Sequence, residues 1–96
     1  MAVRAYILMK VSSSNVREVC KEIADFDEVI EVSMVYGEYD IIAKVALEEL
    51  EMLEPFVTEK IRNMPSVILP FTMIVAREYK GKSTRNALNA KKDSHG

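Results

Sequence analysis

Along the first 76 residues the hydrophobic pattern switches from a period of two to 3.6 and back, and that succession leaves few folds open. Val3, Ala5, Ile7, Met9 and Val11 alternate with Arg4, Tyr6, Leu8 and Lys10, the two-residue repeat of a strand. Ser12-Ser13-Ser14-Asn15 then offers turn and N-cap oxygens, with Asn15 and Glu18 at capping-box spacing. Val16, Val19, Cys20 and Ile23 recur at helical spacing, so the pattern predicts a helix from Val16 to Ala24, broken by Asp25-Phe26-Asp27. Val29–Tyr36 and Tyr39–Ala46 read as two further strands joined by Gly37-Glu38, a two-residue loop suited to a type II′ turn because glycine tolerates a positive φ. Leu50, Leu53, Val57, Ile61 and Met64 set a second helical face. Pro55 has no N–H and belongs in that helix's first turn. Val67–Ala76 is the fourth strand, and Pro70 within it argues for an edge.

The expected fold class is therefore α+β, a ferredoxin-like βαββαβ sandwich on an antiparallel sheet. Right-handed crossovers give the strand order 4-1-3-2. Residues 1–77 form the body and residues 78–96 a basic C-terminal tail with a weak helical tendency near Thr84–Lys91. Two helices cover one face of such a sheet, and the other should then be polar. Here both faces of the first and last strands are apolar. Tyr6 and Leu8 oppose Ile7 and Met9; Ile68, Thr72, Ile74 and Ala76 are assigned to one face of the last strand, with Leu69, Phe71, Met73 and Val75 on the other. An isologous homodimer through the sheet, with Tyr6, Leu8 and Ile68 at the interface, is the simplest way to cover that surface.

Charge and composition prune the functions. Hydrophobic residues make up 49% of the chain and charged residues 29%, an ordinary globular balance. Residues 1–76 carry 7 basic and 13 acidic side chains, a net −6, and residues 77–96 carry 6 and 2, a net +4. An acidic body disfavours nucleic acid, while the tail could touch phosphate. No apolar run approaches the roughly 18 residues of a membrane helix. One cysteine and one histidine leave neither a disulfide framework nor a zinc constellation, so no metal or cofactor is expected, and the chain reads as cytoplasmic. Catalysis finds little to work with. His95 stands next to the end of the chain, Cys20 lies on an apolar helix face, and the three glycines are scattered.

Tyr36-Gly37-Glu38-Tyr39-Asp40 is the segment with most chemistry. Asp40 can accept an ammonium, the turn N–H groups around Gly37 and Glu38 can hold a carboxylate, and the phenols of Tyr36 and Tyr39 can orient either. A hairpin in which Asp40 merely bonds the local backbone explains the same residues.

Several stretches together resemble the effector-binding (RAM) domain of the Lrp/AsnC regulators of amino-acid metabolism. They are Ala5–Val11, Val29–Val32, Tyr36–Val45, Ile61–Val67 and Thr72–Val75. The resemblance implies dimers packed through their sheets, assembly of dimers into rings, and small effectors, often amino acids, held between dimers. By position it implies that Tyr36, Gly37, Glu38, Tyr39 and Asp40 come from one subunit and Thr72 and Ile74 from a neighbour. Pro70 stands where the family often has a threonine, and Pro65-Ser66 replaces a usual Pro-Gly. Ninety-six residues beginning at the first strand leave no room for the family's helix-turn-helix. The expectation is a non-enzymatic sensor that co-assembles with full-length regulators, without direct sequence-specific DNA binding. A small dimeric α+β-barrel enzyme and nucleic-acid association through the tail are the alternatives.

Overall fold

A computed structural model describes residues 2–12 and 14–93; Ser13, His95 and the Leu69 side chain lie outside the described part. Strand β1 (Val3–Val11) leads to helix α1 (Val16–Ala24), then β2 (Val29–Met34) and β3 (Ile41–Leu47). A composite helix over 50–61, labelled α2, precedes β4 (Val67–Ile74) and a final helix α3 (Lys82–Asp93). The sheet is antiparallel with order β2-β3-β1-β4, the ferredoxin-like arrangement expected from the periodicity.

One face of this sheet and the two body helices enclose the core. Ala5, Ile7 and Met9 of β1 and Ile41, Ala43 and Val45 of β3 are fully buried against Val19 and Ile23 of α1 and Phe56 and Ile61 of α2. α1 starts without the expected capping box, since Asn15 makes no side-chain capping bond, and Glu18 pairs with Lys21 at 3.4 Å instead. α2 opens with a 3₁₀ turn at Leu50–Met52, continues as one α turn at Leu53–Pro55 and widens into a π-helix at Phe56–Ile61. Pro55 thus falls in the first α-helical turn. The wide segment bonds at i→i+5, as in Arg62 N–H to Val57 O at 2.9 Å, and so puts both Phe56 and Ile61 on the buried side. Phe56 takes the core place expected for Leu50, which is 50% exposed.

Three sequence expectations need correction. The strands around Gly37 stop at Met34 and resume at Ile41, so residues 35–40 form a six-residue loop in place of the two-residue turn. It is closed by Val35 N–H to Asp40 O at 2.9 Å and fastened to β1 by Asp40 N–H to Met9 O at 2.9 Å. That second bond ties the loop to a strand about 30 residues away, which a local turn rule does not foresee. Gly37 does adopt a positive φ, +148°.

The second correction concerns β4. Leu8 pairs with Phe71 but Lys10 pairs with Ile68, so β4 holds one residue more than β1 across this stretch. The bulge contains Pro70, which has no N–H to give to a ladder and is tolerated at such a position on an edge strand. It shifts the alternation, so Ile68 shares the open face with Phe71 and Met73, while Thr72 and Ile74 pair with Ile7 and Ala5 on the helix side. The single-face grouping of Ile68 with Thr72 and Ile74 fails for this reason. A third, smaller adjustment is that the tail carries a full helix, α3, longer than its composition suggests.

Candidate functional site

The open face of the sheet divides into two ends. Leu8 of β1, Ile42 of β3 and Ile68, Phe71 and Met73 of β4 make one end apolar, with Phe71 54% exposed. Tyr6, named with Leu8 and Ile68 for an interface, pairs with Lys44 and Met73 on this same face. At the other end the chain leaves β4 through Val75 N–H to Arg4 O at 2.8 Å and crosses back over the sheet. Glu78 then sits between two cations, with Arg4 Nη1 at 2.6 Å from Oε2 and Lys44 Nζ at 3.0 Å from Oε1. Lys44 also lies 5.6 Å from the Tyr6 ring centroid, within cation–π range. The Lys44 ammonium, then the Arg4 charge, hold the Glu78 carboxyl below its usual range, and Glu78 in turn raises Lys44. Nothing in the sequence singles out this cluster, because its members stand 34 and 74 positions from Glu78.

The loop residues divide between two depressions. Tyr36 and Asp40, with Met34 and Val35, face Ser14, Asn15, Val16 and Arg17 at the start of α1 across a cleft of about 300 Å³. Tyr39 lines a separate depression of about 640 Å³ with Arg62, Val67, Pro70 and Phe71. The two phenols therefore do not converge. Tyr36 is 99% exposed at the tip, beside the exposed Gly37 and Glu38. Asp40 is half-buried, and its Oδ2 accepts the Val11 N–H at 2.8 Å. This bond gives Asp40 a structural duty at the end of β1, and the carboxylate keeps acceptor capacity beyond one hydrogen bond. Arg17 and the first N–H groups of α1 add positive potential to the same cleft. A carboxylate facing a guanidinium and a helix start offers complementary charges to a small zwitterion.

Thr72 and Ile74 reach neither depression. They lie on the helix side of β4, with Ile74 53% exposed. One chain thus brings Tyr36 and Asp40 together, places Tyr39 next to Pro70, and keeps Thr72 and Ile74 apart from both. Cys20 is half-buried in α1, and burial pushes its thiol up, as befits a packing residue. Among the described residues no group of three or more His, Cys, Asp or Glu side chains could hold a metal ion, and no helix is long and apolar enough to cross a membrane.

Residues 4–84 match the Lrp/AsnC ligand binding domain. The chain belongs to this family. The HTH-type transcriptional regulator FL11 of Pyrococcus horikoshii is 34% identical over 76 residues, which are 79% of this chain and 50% of the regulator. The chain therefore spans about half the length of the curated relatives it matches. Among solved structures, FFRP-DM1 is 45% identical, with a TM-score of 0.73 over 76% of this chain and 97% of that one. The hypothetical protein PHS023 from P. horikoshii is 44% identical, again with a TM-score of 0.73, over 80% of this chain and 93% of its own. The curated relative FL11 is an HTH-type transcriptional regulator, and the family model that this chain matches is that of a ligand binding domain.

Proposed function

We propose that this Lrp/AsnC domain senses a small zwitterionic effector, an amino acid in the first instance, at a site completed only on assembly. The observation that carries this reading is the cleft of about 300 Å³ in which Asp40 faces Arg17 and the start of α1. An α-ammonium pairs with the spare acceptor capacity of Asp40, and an α-carboxylate with Arg17 and the helix start. Tyr36, Gly37 and Glu38 border the ligand from the loop, while Tyr39 stands in the neighbouring depression beside Pro70. Thr72 and Ile74, too far round the same chain to take part, reach it from a neighbouring subunit.

Assembly in this reading begins with a homodimer through the apolar end of the open sheet face, where Tyr6, Leu8 and Ile68 lie, and continues with dimers joining into a ring. Because the ligand completes its site only between dimers, binding favours the ring over the dimer. Co-assembly with full-length regulators would then convert ligand occupancy into transcriptional control.

Thermal denaturation against the twenty amino acids at millimolar concentration tests the sensor. A ligand at 100 times its Kd adds about 2.7 kcal/mol, a shift of several degrees in a domain this small. A response to one or a few amino acids that disappears in Asp40→Asn is the expected result. Equal responses in Asp40→Asn and the parent would remove Asp40 from the site.

A further inference from the structure

A second cleft, of about 480 Å³, opens between the end of β3 and α2, far in sequence from the loop 35–40. Its floor is apolar, built from Leu47, Met52, Pro55 and Phe56, with Met52 46% exposed. Carboxylates surround it. Glu28 is held by Lys60 at 2.8 Å, whereas Asp27, Glu48, Glu51 and Glu59 are exposed around the rim. Segment 48–59 has five glutamates and no basic residue. The surface is thus shaped for something apolar and positively charged.

The same chain carries an element of that description. In α3 every described side chain, from Lys82 to Leu88, is exposed, and the molecule extends to 50 Å along its longest axis. Leu88 is 54% exposed, with Arg85 one turn before it and Lys91 and Lys92 within one turn after it in the sequence. Glu78, the acidic residue nearest to α3 on its N-terminal side, is already bound by Arg4 and Lys44. That clamp anchors the start of the tail, and beyond Gly81 the sequence carries four basic residues and one acidic residue. Among the described residues neither Lys82 nor Arg85 forms an ion pair, while the acidic cleft stands open.

We propose that α3 docks in the acidic cleft of a second copy of this chain. Leu88 seats on the floor by Met52 and Pro55, and Lys82 and Arg85 meet Glu48, Glu51 and Glu59. A reciprocal, isologous exchange satisfies both surfaces at once. The body's net −6 against the tail's +4 favours this occupant over nucleic acid, which an acidic body repels. This contact goes beyond the sensor reading, and its test is independent of the ligand response.

Sedimentation of the full chain across a salt series is the experiment, with three variants beside the parent. They are Lys82→Glu with Arg85→Glu, Glu48→Lys with Glu51→Lys, and all four together. The parent should lose mass-average size as salt rises, since screening weakens the contact. Each double reversal should weaken self-association by about tenfold or more, and the quadruple variant should recover it. Recovery also excludes misfolding as the cause of the loss. Unchanged association in both double variants would overturn the proposal, as would loss without recovery, because the two surfaces would then not meet. So would a tail reversal that abolishes binding to a DNA duplex and leaves self-association intact.

Discussion

The two faces of the sheet are made from the same strands and comparably apolar residues, yet they end in opposite states. On the helix side Ile7, Met9, Ile41 and Val45 have no exposure at all; on the open side Phe71 and Met73 keep about half of theirs. Alternation distributes residues between the faces, but burial depends on what is packed there, and the chain has only two body helices to supply. An antiparallel sheet with one wet face normally shows polar residues there. Here the open face retains Leu8, Ile42 and Ile68, with the Arg4–Glu78–Lys44 cluster at one end and the exposed Lys10 beside Ile68 at the other. The contrast separates residues that hold the monomer together from apolar residues that the monomer leaves exposed.

The sharpest way to break this contrast is to cut equally on both sides. Ile7→Ala removes fully buried methyl groups and should cost about 2–5 kcal/mol in denaturant unfolding, through lost transfer energy and a cavity. A loss below about 1 kcal/mol would mean that the helix face packs loosely.

Asp40 sits between fold and site, and two substitutions divide its duties. Asp40→Ala leaves the Val11 N–H without its acceptor and should cost about 1–3 kcal/mol. Asp40→Asn retains an acceptor oxygen and should recover most of that stability while still losing the ligand response. If both variants are equally destabilised, the negative charge itself supports the fold.

On the open face, Phe71→Ser should change the stability of the dilute protein by less than about 1 kcal/mol. Its effect should appear in the concentration dependence of Tm, which a partnered face creates and an unpartnered one lacks. A parent Tm independent of concentration would refute the partnered face.

The smallest effect is expected at the charged end. Glu78 has a depressed folded-state pKa, so its contribution is present above the ordinary carboxylate value of 4.5 and is lost as pH falls through the folded value. Lys44, raised above 10.5, contributes below that value and loses its share as pH rises through the folded one. Glu78→Gln should therefore flatten the acid limb of stability as pH falls below 4.5, measured by urea midpoints, and leave ligand binding at neutral pH unaltered.

The order of elements could be read from periodicity because β1 and α1 display it over nine residues each, and their bounds coincide with the expected ones. The loop at 35–40 could not, since its length follows from bonds that Met9 and Val11 make with Asp40, about 30 residues away. Local turn chemistry had no access to those partners. The division of Tyr36 and Tyr39 between two depressions has the same origin. Phe56 escaped the helical template because a π-helical segment does not repeat at 3.6, and Glu78 escaped because its partners lie on two other strands.

The extra residue around Pro70 in β4 acts as a phase switch for the whole edge of the molecule. With every residue kept and the ladder running regularly from the pair Lys10–Ile68, Phe71 would fall opposite Ile7 and Met73 opposite Ala5. An aromatic ring and a thioether would be driven into a space now shared by Thr72 and Ile74, and the hydroxyl of Thr72 would be turned outward. Shortening the chain by one residue at this point would leave a single residue opposite Met9 and keep Phe71 opposite Leu8, so the same side chains would face outward and only the bulge would be lost. The doubled position around Pro70 thus decides which side chains of β4 turn outward and which turn toward the helices.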